Sequence, residues 1–232
     1  MNRWTKSEEQ VLIKYYPDLG TLTTILDRTP AAIRHKFQRI SGRCSPYKPL
    51  VEEKRIGYFD IETSQLQADF GICYSWVIKV KGKNEYYGSI ITRNEIIAGM
   101  LDKRVMEELM DAFQNFDIIY TYYGSRFDIP FVRTRTLIHG LEFIPRGQII
   151  HRDLYYLARR CLKLSSNRLA NVCRVLGIEG KTNIEQRYWV LANTGNPTAL
   201  KYIAEHNKGD VDILEKVHEK LSKFEAPSRR WM

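Results

Sequence analysis

Three short stretches of this chain place carboxylates where a strand or a helix ends. In Phe59-Asp60-Ile61-Glu62-Thr63, strand alternation puts Asp60 and Glu62 on one face and Phe59 and Ile61 on the other. Two like charges side by side at the end of an apolar strand are costly unless a cation neutralises them. In Tyr122-Tyr123-Gly124-Ser125-Arg126-Phe127-Asp128-Ile129-Pro130-Phe131, a strand breaks at Gly124 and Asp128 sits just inside the helix that follows. In His206-Asn207-Lys208-Gly209-Asp210-Val211, His206 and Asp210 lie one turn apart on the same face of a late helix. Carboxylates converging on two Mg²⁺ or Mn²⁺ ions are the means of two-metal phosphodiester hydrolysis, in which water is activated and charge on the leaving oxygen relieved. Such hard cations take Asp and Glu oxygens in preference to Cys sulfur. The three stretches are therefore candidates for one metal-dependent hydrolytic site, provided the fold brings them together.

Positioning them calls for an α/β body. Residues 55–61 read as a strand, residues 70–80 and 85–92 as two more joined through Gly82-Lys83-Asn84 in a hairpin, and residues 117–122 as a fourth. Between the third and fourth, residues 105–116 form an amphipathic helix with Val105, Leu109, Ala112, Phe113 and Phe116 on its apolar stripe. The rest is mainly helical, over 127–139, 154–162, 168–176 and 197–224, with Gly140 and Gly177 closing two of these helices. Three antiparallel strands, a helix and then a parallel strand is the order of a ribonuclease-H-like mixed sheet flanked by helices.

A small head precedes this body. Thr5 and Glu8 make a Thr-x-x-Glu capping box, with Val11, Leu12 and Tyr15 at helical spacing behind it. Leu22, Ile25 and Leu26 mark a second short helix. Thr29 caps a third, with Pro30 at its first position and Ile33, Phe37 and Ile40 along one face. Its other face carries Arg34, His35, Lys36, Gln38 and Arg39, the kind of surface that reading a major groove needs. The prolines of Cys44-Ser45-Pro46-Tyr47-Lys48-Pro49 mark a linker, so the expected division is a head over 1–42, a linker over 43–54 and a body over 55–225.

Charge agrees with a polyanionic partner. Thirty-six Lys and Arg against 27 Asp and Glu give a net charge of +9, and the first 50 residues hold nine of those cations but only four of the anions. The four cysteines are scattered without a Cys-x-x-Cys pair, so neither a zinc knuckle nor a disulfide framework is suggested, and a reducing, cytoplasmic location is expected. No run of eighteen apolar residues exists, and no membrane role is expected.

In this order and at these separations, FDIET, YYGSRFDIPF and HNKGDV resemble the three motifs of the DEDD (DnaQ-like) 3′–5′ exonuclease superfamily, within the ribonuclease-H-like fold. With Ile150-His151-Arg152-Asp153-Leu154 and Ser165-Ser166-Asn167-Arg168-Leu169 between them, the likeness is greatest to the YprB-like branch and spans about residues 55–218. The head resembles a Myb/SANT-type helix-turn-helix through Arg3-Trp4-Thr5-x-x-Glu8-Glu9 and Arg28-Thr29-Pro30-x-x-Ile33-x-x-Lys36. The first resemblance implies that Asp60, Glu62, Asp128 and Asp210 hold two Mg²⁺ or Mn²⁺ ions and that His206 serves the attacking water. Two positions depart from the family pattern. His206 stands four residues before Asp210, the spacing of the family's tyrosine subgroup, and Tyr123 stands where Asn is common.

The expectation is thus a metal-dependent nuclease, foremost a 3′–5′ exonuclease, tethered to DNA by its head. DNA is the favoured substrate and RNA the other. Arg34, His35, Gln38 and Arg39 on the head, with Tyr123 and Arg126 beside the second motif, are the candidate nucleic-acid contacts. Arg133 and Arg135 also flank that motif, Tyr122, Tyr155 and Tyr156 supply further aromatic surface, Asp153 reads as structural or adjoining the metal, and Asp212 reads as solvated. Two rivals stay open: a structure-specific endonuclease of the same fold, and an inactive DNA-binding regulator or adaptor.

Overall fold

The computed structural model describes residues 4–16, 18–41, 54–180 and 182–225. They fall into two units, residues 1–53 and 54–232.

The first unit is three helices, α1 (Lys6–Tyr15), α2 (Leu19–Leu26) and α3 (Pro30–Ser41). Local chemistry starts each of them. The Thr5 hydroxyl accepts from the Glu8 amide at 3.2 Å while Glu8 accepts from the Thr5 amide at 2.7 Å. Asp18 caps α2 through the Thr21 amide at 3.1 Å, and Thr29 accepts from the Ala32 amide at 3.3 Å. Leu12, Leu22, Leu26 and Ile33 form the core. Lys36 is not on the open face of α3: it pairs with Glu9 at 2.5 Å and lies over the Trp4 ring, as Arg28 does beside Glu8. The side chains of Arg34, His35, Gln38 and Arg39, and nearly all of the expected linker, lie outside the described residues.

The second unit is built on five strands, β1 (Ile56–Thr63), β2 (Cys73–Val80), β3 (Tyr86–Ile90), β4 (Ile118–Thr121) and β5 (Ile150–Asp153), in the order β3-β2-β1-β4-β5. The hairpin partners β2 and β3 are antiparallel, β2 is antiparallel to β1, and β4 and β5 run parallel to it. Helices α4 (Arg93–Ile97), α5 (Lys103–Phe113), α6 (Asp128–Ile138), α7 (Leu154–Cys161), α8 (Leu169–Leu176), α9 (Gln186–Asn193) and α10 (Pro197–Leu221) complete it. Alternation along β1 sorts two cores. Phe59 and Ile61 meet Trp76, Ile78, α5 and α6 on one face; Tyr58 meets Val77, Tyr120, α7, α8 and α10 on the other.

Three elements went unread in the sequence. Strand β5 is four residues long with an exposed Ile150, too short for alternation to mark it. Helix α4 opens on a second Thr-x-x-Glu capping box, Thr92 with Glu95, directly where the strand expected over residues 85–92 ends. Helix α9 buries little beyond Ala192, so its apolar stripe is faint. The second strand also starts at Cys73, three residues later than expected, and Phe70 is solvent-exposed. Among the described residues no helix is long and apolar enough to cross a membrane.

Candidate metal centre

Strand β1 outruns its parallel partner. Pairing with β4 stops at Tyr58 opposite Tyr120, whereas pairing with β2 runs on through Glu62 opposite Ser75. Asp60 and Glu62 therefore stand where β4 has parted from β1, on the Tyr58 face that α10 covers.

The loop after β4 and the first turn of α6 enter the gap. Asp128 is 3% exposed, and its Oδ1 accepts from the Ile61 amide at 3.3 Å. Burial pushes its carboxyl up to about 7, against the lowering effect of backbone amides at Asp128 and Ile61 and with a smaller push from the Asp153 charge.

Asp153 shapes that loop. It accepts from the amides of Tyr123 at 2.8 Å and Ser125 at 2.9 Å, and caps α7 through the Tyr155 amide at 3.0 Å. Tyr123 is held at φ 66°, a left-handed conformation that costs a bulky residue free energy. Gly124 follows because a Cβ there would overlap the Thr121 side chain. Its three amide bonds make Asp153 a structural clamp. Asp153→Ala is expected to lower unfolding free energy by about 2–3 kcal/mol, the worth of a cap plus an abandoned turn, measured by urea titration. A change below about 0.5 kcal/mol would refute the clamp.

Helix α10 brings His206 and Asp210. Its register on β2 is set by Asn207, whose Nδ2 donates to the carbonyl of Ser75 at 3.3 Å and to its hydroxyl at 3.2 Å. Farther along, Lys79 pairs with Asp212 at 2.6 Å and Glu215 at 2.9 Å. With α10 so placed, ligating atoms of Glu62, His206 and Asp210 all lie within 4.8 Å of one another. His206 Nε2 is 3.7 Å from Asp210 Oδ2, and its Nδ1 is 3.2 Å from the Thr182 hydroxyl. Two carboxylates and an imidazole, with Asp60 on the same strand face and Asp128 against the same strand, form an oxygen-rich donor set that suits a hard divalent cation.

Other sequence readings change in the fold. Asp212 is only partly solvated: it also accepts from the Tyr86 hydroxyl at 2.7 Å, and these bonds outweigh burial to hold its carboxyl below the usual range. Arg135 grips no phosphate and meets little solvent, because it is buried against Asp102 at 2.7 Å. Tyr123 and Arg126 do lie exposed beside the Asp128 loop, with Arg126 Nε 3.3 Å from the Tyr156 hydroxyl. Tyr122 instead donates to the Asn167 carbonyl at 2.6 Å. Next to Glu62 a cleft of about 320 Å³ has Leu66, Phe127 and Trp189 in its walls. Thr182, Ser75 and Asn207 went unnoticed in the sequence. Thr182 lies in an irregular stretch without a motif, and the Ser75–Asn207 contact spans 132 positions.

A family model described as RNase_H superfamily matches residues 57–222. The chain belongs to the RNase H superfamily. The chain is similar to a DNA polymerase of Methanocaldococcus jannaschii, 31% identical over an alignment of 98 residues that covers 34% of this chain and 6% of that protein. It is also similar in structure to the family B DNA polymerase of the hyperthermophilic archaeon Pyrobaculum calidifontis, with a TM-score of 0.60 and 18% identity over 74% of this chain and 25% of that one. This RNase H superfamily chain thus spans a quarter or less of the length of either polymerase. The mixed sheet with β4 parallel to β1 and helices on both faces is the RNase H-like fold.

Proposed function

We propose that the chain is a metal-dependent nuclease acting as a 3′–5′ exonuclease of the DEDD type, within or near the YprB-like branch. The observation that carries this is the convergence of Glu62, His206 and Asp210 within 4.8 Å where β4 has parted from β1. Asp60, Glu62, Asp128 and Asp210 are the residues proposed to hold two Mg²⁺ or Mn²⁺ ions, which when bound supply Lewis-acid charge at the phosphate and acidify water. His206, steadied at Nδ1 by Thr182, is proposed to take the proton of the attacking water at Nε2. Leu66, Phe127 and Trp189 offer an apolar wall for a base beside Glu62, while Tyr123 and Arg126 meet the strand at the mouth. The DNA polymerase relatives favour DNA over RNA as substrate. The head, taken as a Myb/SANT-type module over 1–42 that the linker 43–54 joins to the nuclease body 55–225, is proposed to bind DNA through Arg34, His35, Gln38 and Arg39.

Cleavage of 5′-labelled linear and of circular single-stranded DNA, with Mn²⁺ or EDTA, tests the reading. Metal-dependent shortening of the linear strand alone is expected. Asp60→Ala and Asp210→Ala are each expected to cut the rate at least about a thousandfold, as loss of several kcal/mol of charge stabilisation requires, with the far-ultraviolet spectrum unchanged. Cutting of the circle would replace exonuclease by endonuclease. Full activity in either variant would refute the site, and inert wild type on DNA, RNA and hybrids would leave a DNA-binding adaptor.

A further inference from the structure

On the other side of the sheet from Glu62 and Asp210, a cavity of about 610 Å³ lies between α6, strands β4 and β5 and the connection 141–149. Ile119, which packs with Phe59 and Ile61, marks that face. Ile119, Ile129 and Phe143 are among its apolar walls, and its charged or titratable groups are Arg133, Arg146 and His151. This volume, with apolar walls and few convergent polar groups, is that of a small-molecule site.

The charge at the rim is one-sided. No carboxylate lines the cavity, and among the described residues neither Arg133 nor Arg146 is in an ion pair. The Arg133 guanidinium instead lies over the Phe143 ring, 5.0 Å from its centre. His151 is half-buried with Nε2 2.9 Å from the Thr121 hydroxyl, and desolvation lowers its pKa against the raising effect of the Asp153 charge. The Arg133 and Arg146 guanidinium groups, exposed at the rim and without a carboxylate partner among the described residues, can close on an anion, and the ring and aliphatic walls suit a flat apolar body.

We propose that this cavity binds a free nucleoside 5′-monophosphate, its base against Phe143 and the Ile119–Ile129 wall and its phosphate on Arg133 and Arg146. The anion site stands on the cavity alone. The choice of a nucleotide among flat anions rests on the nuclease reading, whose product is of that class. Ile129 and Arg133 belong to the helix whose first residue is Asp128, so the bound nucleotide touches the element that carries a site carboxylate.

The test is calorimetric titration of the full chain in EDTA with dAMP, adenosine, inorganic phosphate and decanoate as separate probes. Saturable dAMP binding is expected, with adenosine and phosphate each at least about tenfold weaker because each supplies half of the contacts. Arg133→Ala and Arg146→Ala are each expected to weaken dAMP by about tenfold or more, and Asp60→Ala to leave it unchanged. Thermal melting confirms that the variants fold, and Arg146, on the connection, serves should a change in α6 unfold the chain. Absent dAMP binding, equal binding in both arginine variants, or decanoate binding as tightly as dAMP would each overturn the proposal. Loss of binding in Asp60→Ala would overturn it too, moving the nucleotide to the carboxylates. A protein that binds dAMP here yet cuts no nucleic acid would refute the nuclease reading and keep the cavity site.

Discussion

In EDTA at pH 8, Asp128→Asn is expected to melt about 5–10 °C above the parent protein, and with Mn²⁺ present the proposed nuclease activity is expected to fall at least about a thousandfold. The stabilising half follows from burial. The carboxyl of Asp128 has an ordinary value of 3.8 and is raised to about 7 in the fold, chiefly by desolvation. Below about 4 both folded and unfolded chains hold the proton, and the group contributes nothing. Between about 4 and 7 the unfolded chain releases it while the folded chain retains it, so stability falls as pH rises. Above 7 the folded chain carries a buried charge in full. Three pKa units correspond to an upper bound of about 4 kcal/mol, and about 2–4 kcal/mol is expected. Asparagine keeps an oxygen for the Ile61 amide and has no charge to bury. The decisive quantity is the gap between the two melting curves, which should be small near pH 4 and open toward pH 7. Parallel pH profiles would refute the assignment. Mn²⁺ should narrow the gap at pH 8, because a bound cation offsets the charge that makes Asp128 costly.

Arg135→Met is expected to cost about 3–5 kcal/mol of stability. Asp102 is fully buried at the entry to α5. It accepts from Arg135 Nη2 at 2.7 Å, lies 2.7 Å from His139 Nε2, and takes the Cys73 amide at 2.8 Å. Burial alone raises its carboxyl, and the bonds from Arg135, Cys73 and His139 bring it back below the usual range. Arg135 also donates to the Ala68 carbonyl at 3.1 Å. One carboxylate thus ties α6 to α5 and to the first residue of β2. Removing the guanidinium leaves Asp102 in an apolar interior with only His139 and one amide. Asp102→Leu combined with Arg135→Met should recover part of the loss but not all, since the Cys73 amide is then unpaired. Guanidinium chloride unfolding of the three variants measures this. A loss under about 1 kcal/mol for Arg135→Met would refute the account. Activity should follow the folded fraction, because this tie holds the helix that begins with Asp128.

Much of the frame was legible because it is written in local chemistry. The Thr5–Glu8 capping box, Pro30 after Thr29, and the alternation of Phe59-Asp60-Ile61-Glu62 act within a few residues, so α1, α3 and β1 could be placed from the chain alone. Asp212 shows where this stops. Helical spacing correctly turns it away from Asp210, but only the packing of α10 on β2 and β3 puts Lys79 and Tyr86 where it turns. Arg135 is the same case, as its partner lies 33 positions earlier.

By itself, the sequence determined which residues are candidates for the site and how neighbours face: Asp60 with Glu62 on a strand, His206 with Asp210 on a helix, Asp128 at a helix start. Only the tertiary structure decided that Glu62, His206 and Asp210 meet within 4.8 Å, that Thr182 steadies the histidine, and that a cavity with Arg133 and Arg146 at its rim lies behind the sheet. The physical reason is range. Caps, alternation and helical faces are set by backbone geometry over one or two turns, whereas convergence depends on where β4 parts from β1 and how α10 seats on Ser75. Those outcomes are settled by burial of both faces of the sheet at once, which no local pattern encodes.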